Sequence, residues 1–192
     1  MLRNTYTAFQ RHLLFFSTPT NPPRLTVLSG MRAAASLGLD FPICVLLGIS
    51  LRALYAPFPH VFSPINIERI PQSEHRAQLS YAKLDKQEYC CSDLLSILPQ
   101  DPRKGFLKHK IDQGHIVSFW AMSASTNTHT VSRDDVERFQ RGDWGKKVAE
   151  RRRGRDDVLP LWRGGPIIVS WHSWAIRRVL GVRVYEENPK TE

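Results

Sequence analysis

The stretch that decides the fold is LGLDFPICVLLGISLRALYAPFP, residues 37–59, which is among the most apolar parts of the chain. Its uncharged run has only eleven residues, Phe41 to Leu51, and Asp40 and Arg52 bracket it. A helix needs about 20 apolar residues to cross a bilayer, so the run argues against a single crossing. Two interpretations remain: a buried core helix, which the sequence alone favours, and a short helix lying in one leaflet.

The composition around this stretch is that of a globular chain. The sequence has 192 residues, of which 42% are hydrophobic, enough for one domain with a modest core. A net charge of +9 predicts an anionic partner, which is a nucleic acid, an acidic protein or a membrane surface. Three cysteines, two of them adjacent, form no disulfide framework. There is no CxxC, HExxH, GxSxG or Walker motif.

The N-terminal residues 1–39 contain four arginines and no acidic residue, which is also typical of a mitochondrial presequence. Prolines at positions 19, 22 and 23 would break the helix of such a presequence early, so a mitochondrial location is the alternative here and not the main expectation.

The downstream sequence predicts mostly helices. CCSDLLSIL, residues 90–98, reads as a short helix ended by a proline, and GHIVSFWAMSAS, residues 114–125, as a helix or a strand. In VSRDDVERFQRGDWGKKVAERRRGR, Ser132 and Asp135 form a capping pair, Gly142 ends the first helix, and a second, basic helix starts near Trp144.

Two basic segments each fit more than one role. KKVAERRRGR, residues 146–155, fits a nuclear localisation signal or nucleic-acid patch, a lipid-facing surface, or a solvated face. The extension 156–192 combines arginines with Trp162, Trp171 and Trp174, which suits a membrane interface or partner surface, or else a small aromatic cluster on the domain.

The order of these features resembles the caleosin family of lipid-droplet-associated peroxygenases. TAFQRHLLFF matches the family's first histidine element, residues 37–59 match its membrane-seeking segment, and PINIERIPQSEHRAQLSYAKLD matches its second histidine stretch. VSRDDVERFQRGDW is similar to its C-terminal helix and turn. The resemblance covers residues 6–150, and the ordered set is more specific than any single motif.

The resemblance implies a mainly α-helical fold with a small caleosin-like domain at residues 6–155. This domain would hold a degenerate EF-hand loop at 17–28 and an apolar membrane-associating segment with a proline-rich exit at 39–64. A helical Trp/Arg-rich extension at 156–192 would follow. The membrane-associating residues are expected to be Phe41, Ile43, Val45, Leu46, Leu47, Ile49, Pro57, Pro59 and Pro64.

The loop STPTNPPRLTVL departs from the EF-hand pattern. An EF-hand wraps calcium with oxygen ligands, turns at a glycine and closes with a bidentate glutamate. Here only Asn21 could ligate, Pro22 stands at the glycine position and Leu28 at the closing position. We therefore expect no calcium binding.

In the family two histidines are implicated in binding haem iron, and the resemblance carries this role to His12 and His75. The implied function is a calcium-independent haem peroxygenase that acts on lipid hydroperoxides and unsaturated fatty acids. It would sit at the cytosolic face of lipid droplets or the endoplasmic reticulum, with no nucleic-acid partner. The alternative is a non-catalytic lipid-droplet protein that keeps the anchor without the chemistry. The other five histidines, His60, His109, His115, His129 and His172, have weaker claims as ligands.

Overall fold

The computed structural model describes residues 6–56, 63–70, 79, 82–98 and 106–186. The predicted mainly helical fold is confirmed for these residues. The helices, in chain order, are α1 (Ala8–Phe15), α2 (Val27–Ser36), α3 (Phe41–Tyr55), α4 (Cys91–Ser96), α5 (Phe106–Ser123), α6 (Arg133–Arg141), α7 (Trp144–Arg151) and α8 (Val169–Leu180). Four residues that carry predictions lie outside the described residues: Pro57, Pro59, His60 and His75.

Within the described part of the chain, four two-residue strands form two antiparallel ribbons. In the first, β1 (Arg24–Leu25) pairs with β2 (Ile65–Asn66), and in the second β3 (Glu88–Tyr89) pairs with β4 (Val131–Ser132). The strands β1, β3 and β4 run directly into α2, α4 and α6, and β2 runs into a short 3-10 helix, Ile67–Arg69, so the two ribbons tie together four loop–helix junctions. The N-cap residues at these junctions are Thr26, Asn66, Cys90 and Ser132.

The helix ends follow local sequence rules. Ser132 accepts a hydrogen bond from the backbone N–H of Asp135, as predicted, and Gly142 ends α6 with φ of +85°, a conformation that favours glycine. The Asp135 carboxylate does not complete a capping box. It is buried and faces Lys147 at 3.4 Å and Arg151 at 3.4 Å on α7.

Helices α2 and α3 form a close antiparallel hairpin built on small residues. Gly30 and Gly48 meet between the helices: a Cβ on Gly48 would lie 2.8 Å from the carbonyl oxygen of Val27, so no side chain fits there. The buried face of α3 consists of Cys44, Gly48 and Arg52, spaced four residues apart. The opposite face of α3 therefore points away from the hairpin.

Arg52 does not lie at the edge of the apolar run as a solvated charge. It is buried, and its Nη1 donates hydrogen bonds to the carbonyl oxygens of Leu25, at 3.3 Å, and Ser63. The guanidinium joins α3 to the first ribbon. The charge that ends the apolar run in the sequence is thus part of the core in the fold.

Buried aromatic rings form the centre of the domain. Phe119 on α5 packs against Phe139 on α6, with ring centroids 4.3 Å apart, and against Trp144 on α7, at 5.3 Å. All three side chains are buried. The stretch 114–125, which the sequence left open between helix and strand, belongs to α5 up to Ser123.

The basic run 146–155 is partly structural. Arg152 is fully buried, forms an ion pair with Asp157 at 2.7 Å, and donates a hydrogen bond to the carbonyl oxygen of Met122 at 3.1 Å. Arg163 donates to the carbonyl oxygens of Ala121 and Ser125. These two arginines satisfy carbonyl groups at the C-terminus of α5, which lack partners within the helix. At Arg152 a solvated or ligand-facing role is excluded.

Candidate functional site: an apolar stripe and the cavity beside it

The outer face of α3 presents an apolar stripe, which consists of Ile43, Leu46, Ile49 and Leu54. These side chains are 37–61% exposed. The core interpretation of the segment is therefore confirmed for its inner face, which is buried, whereas the interpretation as a leaflet helix stays a prediction for the exposed outer face. Among the described helices, none combines the length and the hydropathy that a membrane crossing requires.

The predicted membrane-associating residues divide between the two faces. Ile43, Leu46, Ile49 and Pro64 are exposed. Phe41, Val45 and Leu47 are half-buried, and Phe41 and Leu47 pack against the core. The sequence could not separate these groups because nearly every residue of the run is apolar.

A cavity of about 210 Å³ lies between α1, α3 and α5. Its wall is mostly apolar, and the polar groups in it include His12, His115, Ser50 and Ser118. Ser50 and Leu54 of α3 line the cavity and are also exposed, so the cavity reaches the surface beside the stripe. The main apolar lining residues are Phe9, Leu13, Leu51, Phe119 and Met122.

His12 is held in one tautomer. The indole N–H of Trp144 donates a hydrogen bond to His12 Nδ1 at 2.8 Å, and an indole nitrogen can only donate. Burial, with a smaller contribution from His115, lowers the pKa of His12 to about 4. The imidazole is therefore neutral near pH 7, and its single ring hydrogen sits on Nε2.

This arrangement does not fit a haem ligand at His12. An axial histidine binds iron through a nitrogen lone pair. The lone pair of Nδ1 accepts the Trp144 hydrogen bond, and Nε2 carries a hydrogen, so neither nitrogen offers a free lone pair. His75, the second predicted ligand, lies outside the described residues.

The fold places His115, instead, in the same cavity as His12. The sequence alone places this residue among the weaker candidates for a ligand. One signal was available: His115, Phe119 and Met122 are spaced at i, i+4 and i+7, which puts them on one face of a helix. That signal needs α5 to be known as a helix first, and it cannot identify α1 as the neighbour.

The hydroxyl groups of the loop 17–28 bond within the loop and to adjacent backbone. The Thr18 and Thr20 hydroxyl oxygens are 2.7 Å apart, and Ser17 donates to the carbonyl oxygen of Leu14 at 2.8 Å. The Ser29 hydroxyl accepts from the backbone N–H of Thr26 at the start of α2. The absence of calcium binding stays a prediction.

The tryptophans of the C-terminal extension are exposed. Trp162 contacts the rings of Trp120 and His129, with centroids 5.8 and 5.5 Å away. Trp171 and Trp174 lie on the outer face of α8 and are more than 60% exposed. The aromatic-cluster interpretation is thus right for Trp162 and wrong for the two tryptophans of α8.

Comparison with known proteins gives no relative: no family model, curated protein or solved structure matches this chain.

Replacing His12 by asparagine should reduce the loss of stability in acid. The folded-state pKa of about 4 lies below the ordinary 6.5, so the unfolded chain binds the proton first. The free energy of unfolding should fall as the pH drops from about 6.5 towards 4, by up to about 3 kcal/mol from this residue. Asparagine still accepts the Trp144 hydrogen bond but does not titrate there.

Urea denaturation at several pH values between 7.5 and 4.5 measures this effect. The stability difference between the wild type and His12→Asn should shrink or reverse as the pH falls. Parallel pH profiles for the two proteins would show that His12 is not buried in its neutral form.

Proposed function

We propose that this chain is a peripheral protein of a lipid surface, at lipid droplets or the cytosolic face of the endoplasmic reticulum, and that it takes one fatty acyl chain into its cavity. The observation that carries the proposal is the apolar stripe of α3. A helix with one apolar face suits a lipid surface that it lies on without crossing. The proposal is the non-catalytic form of the caleosin resemblance, without calcium or haem.

The geometry of α3 supports binding without unfolding. Its inner face is fixed by the close contact of Gly30 with Gly48 and by the buried Arg52. The stripe can therefore enter the acyl region while the hairpin stays intact. Burying its four side chains would contribute several kcal/mol at about 25 cal/mol per Å².

The cavity supports the acyl-chain part of the proposal. Its wall is mostly apolar, it reaches the surface beside the stripe, and His12 Nε2–H is a hydrogen-bond donor on a residue that lines it. An unsaturated fatty acid or its hydroperoxide offers both a flexible chain and an oxygen acceptor. A chain leaving the lipid could enter beside Leu54 without crossing water.

Flotation on artificial droplets tests the lipid-surface proposal. Triolein droplets coated with phospholipid are mixed with the purified chain and centrifuged through a sucrose gradient. The chain should float with the droplets at physiological salt. Recovery of intact, folded protein only in the dense fraction would contradict the proposal.

Replacing Ser118 by tryptophan should weaken binding of cis-parinaric acid by at least about tenfold. Ser118 lines the cavity and is exposed, so a bulky ring at this position narrows the entrance. The direct emission of the probe on titration measures its affinity. Leu46→Asp is the control, since Leu46 lies on the stripe and not in the cavity wall. Equal affinity of Ser118→Trp and the wild type for the probe would show that the probe binds outside the cavity.

A further inference from the structure

We propose that residues 161–179 form a second lipid-contact surface, which selects anionic phospholipid headgroups. This inference rests on the proposed function, because it assumes that the chain meets a lipid surface. The tail surface, as we name it, consists of Leu161, Trp162, Ile167, Ile168, Trp171 and Trp174.

Every side chain of the tail surface is more than 60% exposed. Six large apolar side chains exposed within residues 161–174 exceed the singly scattered hydrophobic residues of an ordinary surface, and exposed apolar patches mark interaction sites. The segment is well anchored, since His172, Ile176 and Leu180 on the other face of α8 are buried. The exposed tryptophans are thus a fixed feature of the fold.

The charge beside the tail surface identifies its partner. Arg178 is four residues after Trp174 and seven after Trp171, so all three side chains share one face of α8. Arg177 and Arg178 are both exposed, and Arg177 also forms a surface ion pair with Glu186 at 3.5 Å. Tryptophan is enriched at membrane–water interfaces, and each basic residue near an anionic leaflet contributes to binding. Apolar rings beside arginines complement a surface of acyl chains under phosphate groups.

The tail surface adjoins the stripe of α3. The backbone N–H of Asp40, the N-cap of α3, donates a hydrogen bond to the carbonyl oxygen of Gly164 at 2.8 Å. The Asp40 carboxylate also lies 3.1 Å from Nδ1 of His172 on α8. A Cβ at Gly164 would lie 3.8 Å from the side chain of Ile43, the first residue of the stripe. The segment that carries the tail surface is therefore packed beside the N-terminal end of the stripe, and we expect one lipid surface to contact both.

The test compares droplets coated with phosphatidylcholine alone and with a phosphatidylcholine–phosphatidylserine mixture. The wild type should bind the mixture more tightly, and high salt should remove the difference. The variant Arg177→Ala/Arg178→Ala should bind the mixed droplets about fivefold more weakly for each arginine removed. Its affinity for droplets of phosphatidylcholine alone should change little. Trp171→Ala/Trp174→Ala should weaken binding to both. The control Arg141→Ala/Lys146→Ala removes the same charge from the α6–α7 corner and should retain the preference.

Four results would overturn the inference. Equal losses in the two charge variants would mean that net charge alone causes the preference. Equal binding of the wild type to both kinds of droplet would remove the anionic selectivity but leave the proposed function standing, whereas no flotation on either would contradict both. Self-association of the wild type, lost in Trp171→Ala/Trp174→Ala, would assign the tail surface to a second copy of the chain.

Discussion

Replacing Arg152 by alanine should lower the free energy of unfolding by about 3–5 kcal/mol, the usual cost of removing one partner from a buried ion pair. The guanidinium is fully buried and makes the ion pair with Asp157. Without it, the Asp157 carboxylate loses its fully buried cation and keeps Arg151, at 2.6 Å, and Thr126 as partners. The carbonyl oxygen of Met122 loses the hydrogen bond from Arg152 as well. The C-terminus of α5 and the start of the C-terminal extension should loosen together.

Urea denaturation followed by circular dichroism measures this change. Arg153→Ala is the matched control, because the next residue is also an arginine but is exposed. It should change stability by no more than about 0.5 kcal/mol. Similar losses in the two variants would show that Arg152 acts only through the net charge of the basic run.

The double variant Leu46→Asp/Ile49→Asp should release the protein from droplets, with a loss of affinity of at least about a hundredfold. Insertion scales assign roughly 2.5–3.5 kcal/mol to each charged residue at full depth, so even partial insertion gives this loss. Both positions are exposed, and the variant should therefore stay folded. Leu47 is unsuitable for this test because it lines the cavity and packs on the core.

The matched control is Asn21→Asp/Leu28→Asp. It adds the same charge at two exposed positions outside α3, and Leu28 is 46% exposed. This control should bind droplets almost as the wild type does. Equal release of both variants would show that net charge, and not the stripe, controls binding to droplets. Retention of Leu46→Asp/Ile49→Asp on droplets would rule out the stripe as the contact.

Local chemistry explains what the sequence could predict of the fold. The helix ends lie close to where Ser132, Gly142 and the proline after residue 98 predict them, because each of these residues starts or ends a helix through its immediate neighbours in the chain. The apolar run 41–51 also predicts α3, because its length and composition depend on no distant residue.

The remaining features depend on contacts between residues that are far apart in the sequence. Arg52 resembles a solvated end charge until the first ribbon brings the carbonyl oxygen of Leu25 to it. Arg152 resembles part of a basic patch until Asp157 and α5 surround it. The tautomer of His12 is fixed by Trp144, 132 residues away, and this bond changes the interpretation of the predicted haem ligand.

The most direct test of the lipid-surface account is the polarity around residue 46 on droplets. An NBD fluorophore is attached to Leu46→Cys, or to Leu28→Cys as the control, in a chain with Cys44→Ala, Cys90→Ser and Cys91→Ser. On addition of phosphatidylcholine–triolein droplets, the account predicts brighter, blue-shifted emission at position 46 and unchanged emission at position 28. Unchanged emission at position 46, with the labelled chain folded, would contradict it.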